Sequence, residues 1–127
     1  MKYIVETNKT LDAASADLEE AVKRNGFGIL HTYDLKQTLK GKGIDLANGC
    51  RIYEICNPQK ARAVLENDMS LNMALPCRIS VYEDDGKTKL GMIRPKAMLA
   101  MLSEDEALMR IAEEVEVISV RIIDEAK

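Results

Sequence analysis

Two cysteines stand next to prolines at the ends of predicted strands. Cys56 ends a β-prone run and is followed by Asn57 and Pro58, and Cys77 follows Pro76 and opens the next strand. A pair of thiols can bind a soft metal, ligate haem or cycle between dithiol and disulfide. The two sulfurs meet if their strands are antiparallel neighbours or if the connecting loop returns the chain to the same end. A tight crossover would separate them, and free cysteine is also among the most frequently buried residue types, so a packing role is the alternative.

The other residues that could do chemistry are isolated. His31 is the only histidine, and it could titrate near neutrality, ligate metal or haem, act as a general base, or be an ordinary structural histidine. Cys50 lies about 20 Å from Cys56 along the same strand, so these two cannot form a disulfide. A single histidine and the absence of a CxxC pair argue against structural zinc. Glu54 and Glu83 could form a paired-carboxylate site, and no nucleophile elbow, phosphate loop or dinucleotide fingerprint occurs.

The composition narrows the class of protein. The chain has 127 residues, of which 46 % are hydrophobic and 31 % charged, as in a single soluble globular domain spanning residues 1–127. The net charge of -3, the pI of about 5.3 and the absence of Trp disfavour nucleic-acid binding. No apolar stretch approaches the roughly 20 residues that cross a membrane. Three cysteines, an odd number, argue against a secreted disulfide framework, and we expect a cytoplasmic protein.

The periodicity of apolar residues predicts the order β-α-β-β-α-β-β followed by helices. The predicted elements are a strand at 2–7, a helix at 11–24 capped by Thr10, a strand at 27–35, a long loop at 36–49, a strand at 50–56, a helix at 58–67, an irregular stretch at 68–75 and a hairpin at 77–93 that turns at Asp84–Lys87. In the second strand, one face is expected to carry Phe27, Ile29, His31, Tyr33 and Leu35.

The C-terminal region is predicted to be helical. Ser103–Glu106 has the pattern of a capping box, and we favour helix from there to the end, although Val117–Ile123 has strand propensity. Antiparallel hairpins combined with helices predict a two-layer α+β domain, with the helices on one face of the sheet. The methionines near this end could form a dimer interface, the wall of an apolar pocket or ordinary core: Met92, Met98, Met101 and Met109.

The motifs around the two cysteines resemble a known family. The run Tyr53-Glu54-Ile55-Cys56-Asn57-Pro58 and the run from Leu75 to Glu83 are similar to the signature of domain of unknown function 302. This resemblance implies a homodimer with a curved antiparallel sheet, similar to the TATA-binding-protein-like fold. It does not imply DNA binding, and the acidic pI argues against it. It also implies that haem binding or a connection with sulfur metabolism is possible, as for some relatives. The family has no agreed activity.

Three functions therefore remain open. The leading hypothesis is a homodimer that binds a small molecule or haem at a site bounded by Cys56, Asn57, Cys77 and His31. The second is a thiol redox or sulfur-transfer enzyme that uses the same cysteines, which requires a thiol with a lowered pKa and access to solvent. The third is a structural or protein-interaction module without catalysis. Sequence reasoning does not decide whether the protein is an enzyme.

Overall fold

The computed structural model describes residues 1–127 as one five-stranded antiparallel sheet with helices packed on it. The elements are β1 (Lys2–Thr7), α1 (Leu11–Arg24), β2 (Gly28–Asp34), α2 (Leu35–Lys40), β3 (Cys50–Cys56), α3 (Pro58–Asn67), a 3-10 helix (Met69–Ala74), β4 (Cys77–Asp84), β5 (Lys87–Ile93), α4 (Pro95–Ala100) and α5 (Glu106–Ala126). The strand order is β1-β5-β4-β3-β2, and every neighbouring pair is antiparallel. The predicted α+β class, with a curved open sheet, is confirmed.

The main core lies between one face of the sheet and the helices α1 and α5. Each helix turns an apolar stripe toward the sheet, as the spacing of three and four residues predicts. The strands contribute alternate residues to the same core because side chains alternate between the two faces of a strand. The largest fully buried apolar side chains are Leu18, Val22, Ile55, Ile79, Val81, Leu90, Leu108, Ile122 and Ile123.

The opposite face of the sheet is covered by neither of the two long helices, and we call it the open face. It consists of the residues that alternate with the core positions: Lys2, Ile4, Glu6, His31, Tyr33, Ile52, Glu54, Arg78, Ser80, Tyr82, Lys87, Lys89, Gly91 and Ile93. Ile4 and Ile93 are 46 % and 53 % exposed on it. No helix of the protein has the length and apolar character needed to span a bilayer.

Several local predictions are confirmed by hydrogen bonds. The Thr10 side chain accepts from Ala13 N–H and begins α1, and the Asn57 side chain accepts from Lys60 N–H and begins α3. The hairpin between β4 and β5 turns at Asp85 and Gly86, whose φ angles are +54° and +74°, as a type I′ turn requires.

The prediction for the second strand was wrong in the face of its residues and in its length. The pairing register with β3 shifts between Ile29 and His31, so Ile29 lies opposite the buried Ile55, whereas His31 lies opposite Glu54. A bulge of this kind inserts one extra residue and reverses the face of every residue that follows. His31 and Tyr33 therefore lie on the open face and Ile29 on the core face. The strand is also shorter than the predicted 27–35.

The segment predicted as a loop at 36–49 begins with a short helix. The Asp34 side chain accepts a hydrogen bond from Gln37 N–H, which caps α2 and ends β2. Aspartate before Leu35 is a helix-start signal that sequence reasoning overlooked. Within residues 68–75, predicted as irregular, Met69–Ala74 form the 3-10 helix, and the Asp68 side chain caps it by accepting from Ser70 N–H.

The last helix is continuous to Ala126, as favoured, and Val117–Ile123 is not a strand. Its first residue is set by Asp105, whose carboxylate accepts from Leu108 N–H, rather than by Ser103. The Ser103 hydroxyl instead accepts from the N–H of Asp105, two residues later, and so helps to hold the capping residue in place. The helix therefore begins two residues later than a cap at Ser103 would place it.

Candidate functional site

The structure brings Cys56 and Cys77 to the same end of the sheet. β3 and β4 are antiparallel neighbours, and α3 with the 3-10 helix returns the chain to the end at which β3 stops. Ile55 lies directly opposite Cys77, so Cys56 is one position beyond the partner of Cys77. Both cysteines line one cavity of about 290 Å³, which we call the thiol cavity.

The thiol cavity is bounded by the end of the sheet and by three helices. α3 contributes Ala61 and Val64 to the wall, α5 contributes Ala112 and Val115, and α4 contributes Leu99. The chain between α3 and β4 closes another side with Leu75 and Pro76, whose peptide bond is cis. Fifteen of the nineteen lining residues are hydrophobic, so a molecule in this space is held by apolar contacts.

The polar groups at the cavity are already engaged in the fold. The Asn57 side-chain oxygen accepts from Lys60 N–H at 3.1 Å, and its amide donates to the Gly26 carbonyl at 3.5 Å. The Lys60 ammonium is paired with the carboxylate of Glu114. Asn57 therefore has a structural role as the cap of α3. The positive charge of Lys60 is balanced by Glu114, so it does not stabilise a thiolate in the cavity.

The electrostatic environment keeps Cys77 protonated. Burial raises its pKa to about 11, and the nearby Cys56 adds to the rise because two thiolates would repel each other. At neutral pH the Cys77 sulfur is therefore a neutral thiol, which is a poor nucleophile and a poor metal ligand. Cys50 lies outside the thiol cavity, and burial raises its pKa as well.

The structure does not bring His31 to the two cysteines. His31 lies on the open face, where its ring meets the edge of Tyr33 with 4.4 Å between the ring centroids. Glu54 lies opposite His31 on one side and opposite Arg78 on the other. The Arg78 guanidinium is 3.4 Å from the Glu54 carboxylate. A hydrogen bond to Glu54 raises the pKa of Tyr33, since it stabilises the neutral phenol. The thiol cavity is instead lined by the neighbour of His31, Leu30.

These four side chains form a polar cluster that sequence reasoning did not find. His31, Tyr33, Glu54 and Arg78 come from three strands, and they meet because of the strand register after the bulge. The only signal for this grouping in the sequence is the alternation within each strand. That alternation identifies members of one face but does not identify neighbours across strands.

The donor set does not fit a haem held jointly by the cysteines and His31. Cys77 lies on the core face and His31 on the open face of the sheet, so they cannot supply ligands to one iron. A porphyrin with its two carboxylates would also need more room and more polar partners than this cavity offers. No group of three or more His, Cys, Asp or Glu side chains is arranged to hold a metal ion.

The methionines divide between interior and surface. Met92 is buried in the main core, Met98 lines the thiol cavity and Met109 packs against a second apolar cluster. Met101 is 74 % exposed, next to Leu102 at 55 %. The pocket-wall interpretation therefore describes Met98, and the ordinary-core interpretation describes Met92 and Met109.

Fold and cavity together define a two-layer α+β protein with an apolar pocket at one end of an open antiparallel sheet. The chain matches the family described as Domain of unknown function DUF302 over residues 3–126, and it belongs to that family. A crystal structure of an uncharacterized conserved protein DUF302 from Bacillus stearothermophilus is similar, with 33 % sequence identity and a TM-score of 0.93. The similarity covers 99 % of this chain and 98 % of that chain. No curated protein matches the sequence.

Proposed function

We propose that this protein binds a small, mainly apolar molecule in the thiol cavity. The observation that carries this proposal is a cavity of about 290 Å³, close to the lower end of the range for small-molecule sites, about 300–1,000 Å³. Both family-typical motifs, Cys-Asn-Pro and Pro-Cys, place residues in its wall. The same motifs that identify the family therefore also build the cavity.

A cavity with this lining suits an apolar ligand better than water. An apolar ligand gains free energy when its surface and the apolar wall of a pocket are both removed from water. The free polar capacity of the wall is small because Asn57 and Lys60 are engaged elsewhere. The ligand class is therefore a compact aliphatic or aromatic molecule with few polar groups, whose contacts include the protonated thiol of Cys77.

The structural environment gives less support to a thiol redox or sulfur-transfer enzyme. Such an enzyme needs an attacking thiol whose pKa is lowered, and burial moves the pKa of Cys77 in the opposite direction. Only Cys56 could then serve as the attacking thiol. The hypothesis of an interaction module without catalysis predicts that a substitution that fills the cavity changes only the stability of the protein, whereas the ligand-binding proposal predicts that it also weakens binding.

We further propose that the functional unit is a homodimer in the cytoplasm. The exposed apolar pair Met101 and Leu102 after α4 supports self-association, because Met packs well against irregular partners. The three free cysteines support a reducing compartment. Native mass spectrometry of the freshly purified protein measures the oligomeric state and any co-purified ligand together. A monomer at micromolar concentration would reject the dimer.

Toluene is a suitable probe for the cavity because it is compact and apolar. We expect saturable shifts in the NMR methyl signals of Val64, Leu99 and Val115 when toluene is added. Ala61→Leu adds three carbons to the wall and should weaken toluene binding by at least about tenfold, since it fills space that the ligand occupies. Ala107→Leu makes the same change at an exposed site on α5 and should leave the affinity unaltered.

Two results would reject ligand binding in this cavity. One is the absence of saturable methyl shifts with toluene, and the other is equal affinity in Ala61→Leu and Ala107→Leu. The double variant Cys56→Ser, Cys77→Ser tests the role of the thiols separately. Full retention of toluene binding in that variant would remove the cysteines from the site and leave only the apolar wall.

A further inference from the structure

We propose a second ligand site, in a split between β4 and β5, for an elongated carboxylate that carries a hydrogen-bonding oxygen at its far end. This site lies beside the thiol cavity and shares the wall residues Cys77, Pro95 and Met98 with it, but it does not depend on the function proposed for that cavity. Three observations support it: the geometry of the split, a buried hydroxyl without a partner, and positive charge at the mouth.

The split arises because the ladder between β4 and β5 stops early. The last paired residues are Ser80 and Gly91. Beyond them, Arg78 and Ile79 pair only with β3, while Met92 and Ile93 pair only with β1. The two strands therefore separate, and a cavity of about 360 Å³ opens between them. We call it the split cavity.

The split cavity runs from the open face into the helical layer. Its outer part is lined by open-face residues such as Ile4, Ser80 and Tyr82. Its inner part reaches Met98 of α4 and Ser119 of α5, which lie on the helical side of the sheet. A ligand in this cavity is therefore elongated, with one end at the open face and the other beneath the sheet.

Ser119 supplies the evidence for a polar ligand atom at the inner end. Its side chain is 1 % exposed, and its Oγ has no hydrogen-bond partner. Buried hydroxyls almost always have a partner, because leaving one unpaired is costly. Only one other buried side-chain atom lacks a partner, the hydroxyl of Ser15, and Ser15 lines neither the split cavity nor the thiol cavity. An oxygen of a bound ligand would satisfy the Ser119 hydroxyl.

The mouth of the split cavity favours an anion. Lys2 and Arg78 line it, and no carboxylate side chain does. Lys2 forms no ion pair, whereas Arg78 is partly neutralised by Glu54 at 3.4 Å. Between the mouth and Ser119 the wall is largely apolar, with Ile4, Ile93 and Met92 among its members. The matching ligand has a carboxylate at the mouth, an aliphatic chain along the apolar wall and a hydroxyl or carbonyl group at Ser119.

Pairs of probes that differ by a single oxygen test the inner end. The probes are straight-chain ω-hydroxy acids of about four to eight carbons, each compared with the plain fatty acid of equal length. Calorimetric titration of the wild-type protein should show a preference of about fivefold for the hydroxy acid, which is the contribution of one hydrogen bond. Ser119→Ala should abolish this preference and leave the affinity for the plain acid within about twofold.

Two variants complete the design. Ser15→Ala removes the other unpaired buried hydroxyl, and it should retain the full preference because Ser15 is not in the wall. Lys2→Met should weaken both members of each pair equally and reduce the salt dependence of binding. Ser119→Ala should also raise the melting temperature of the ligand-free protein, because the methyl group replaces an unsatisfied hydroxyl, and this result shows that a loss of the preference is not caused by unfolding.

The outcomes are decisive in either direction. Loss of the preference in Ser119→Ala alone supports the site. The inference is overturned if no probe binds saturably, if Ser119→Ala keeps the preference, or if Ser15→Ala loses it equally. Because toluene reports on the thiol cavity, its binding to Ser119→Ala shows whether that cavity works independently of this result.

Discussion

The stability of this protein should fall at alkaline pH because of Cys77. Its thiol has a pKa of about 11 in the folded protein, against an ordinary value of 9.0, because the folded chain buries it. Below pH 9.0 the thiol is protonated in both the folded and the unfolded state, so it adds no pH dependence. Between 9.0 and about 11 the unfolded chain releases the proton and the folded chain retains it. The free energy of unfolding then decreases with rising pH.

The expected loss can be worked out from that interval. At roughly 1.4 kcal/mol for each pH unit, the change from 9.0 to about 11 is equivalent to about 3 kcal/mol of unfolding free energy. This is a large share of the stability of a single domain, which is about 5–15 kcal/mol. Above pH 11 the thiol is ionised in both states, so its contribution to the pH dependence ends.

The assay is urea unfolding at intervals from pH 8 to pH 11, for the wild type and for Cys77→Val. Valine has similar size and no ionisable group, so the difference between the two curves isolates Cys77 from other groups that titrate in this range. Tyr53 is one of these, because burial raises its pKa in both proteins. Two curves that stay parallel across the whole range would refute the argument that the fold holds this thiol neutral.

Three further outcomes follow from the same geometry. Iodoacetamide should label Cys77 more slowly than a free thiol peptide at neutral pH, as peptide mapping by mass spectrometry can show, and faster labelling would revive the thiol-enzyme hypothesis. Asn57→Ala removes the cap of α3 and should lower the unfolding free energy by about 1 kcal/mol in urea titrations. The matched variant Thr10→Ala removes the cap of α1 and should lower the unfolding free energy by a similar amount without changing toluene binding. At acid pH, the hydrogen bond from Leu108 N–H lowers the pKa of Asp105, so the stabilisation by the Asp105 carboxylate is lost as the pH falls through that lowered value. Below about pH 4, the unfolding free energy of Asp105→Asn should therefore depend less on pH than that of the wild type.

Local signals in the sequence were sufficient wherever one residue type determines the backbone. Asn57 before Pro58 marked the start of α3, and Asp85-Gly86 marked the hairpin, because capping and positive φ have strong residue preferences. The apolar spacing in α1 identified its buried face for the same reason. Such features depend on a few neighbouring residues, so they can be derived before the fold is known.

Features that depend on strand register could not be derived in this way. The bulge after Ile29 moved His31 to the open face, and nothing in the local sequence distinguishes that arrangement from a regular strand. The split between β4 and β5 likewise depends on where pairing stops, after Ser80 and Gly91. The sequence placed Cys56 and Cys77 in the candidate site but left their proximity open, since it depends on the return path of the chain between β3 and β4.

The two functions considered for the cysteines make opposite demands on their surroundings. A thiol that acts as a nucleophile needs nearby positive charge and water, and an apolar ligand needs both to be absent. Around Cys77 the wall is apolar, and the one cation at the cavity, Lys60, is paired with Glu114. The burial that makes this space suitable for an apolar molecule also raises the pKa of Cys77, because both effects follow from the exclusion of water. A change that made Cys77 reactive would therefore have to make the cavity more polar. The residues that line the cavity favour the binding of an apolar molecule over thiol chemistry.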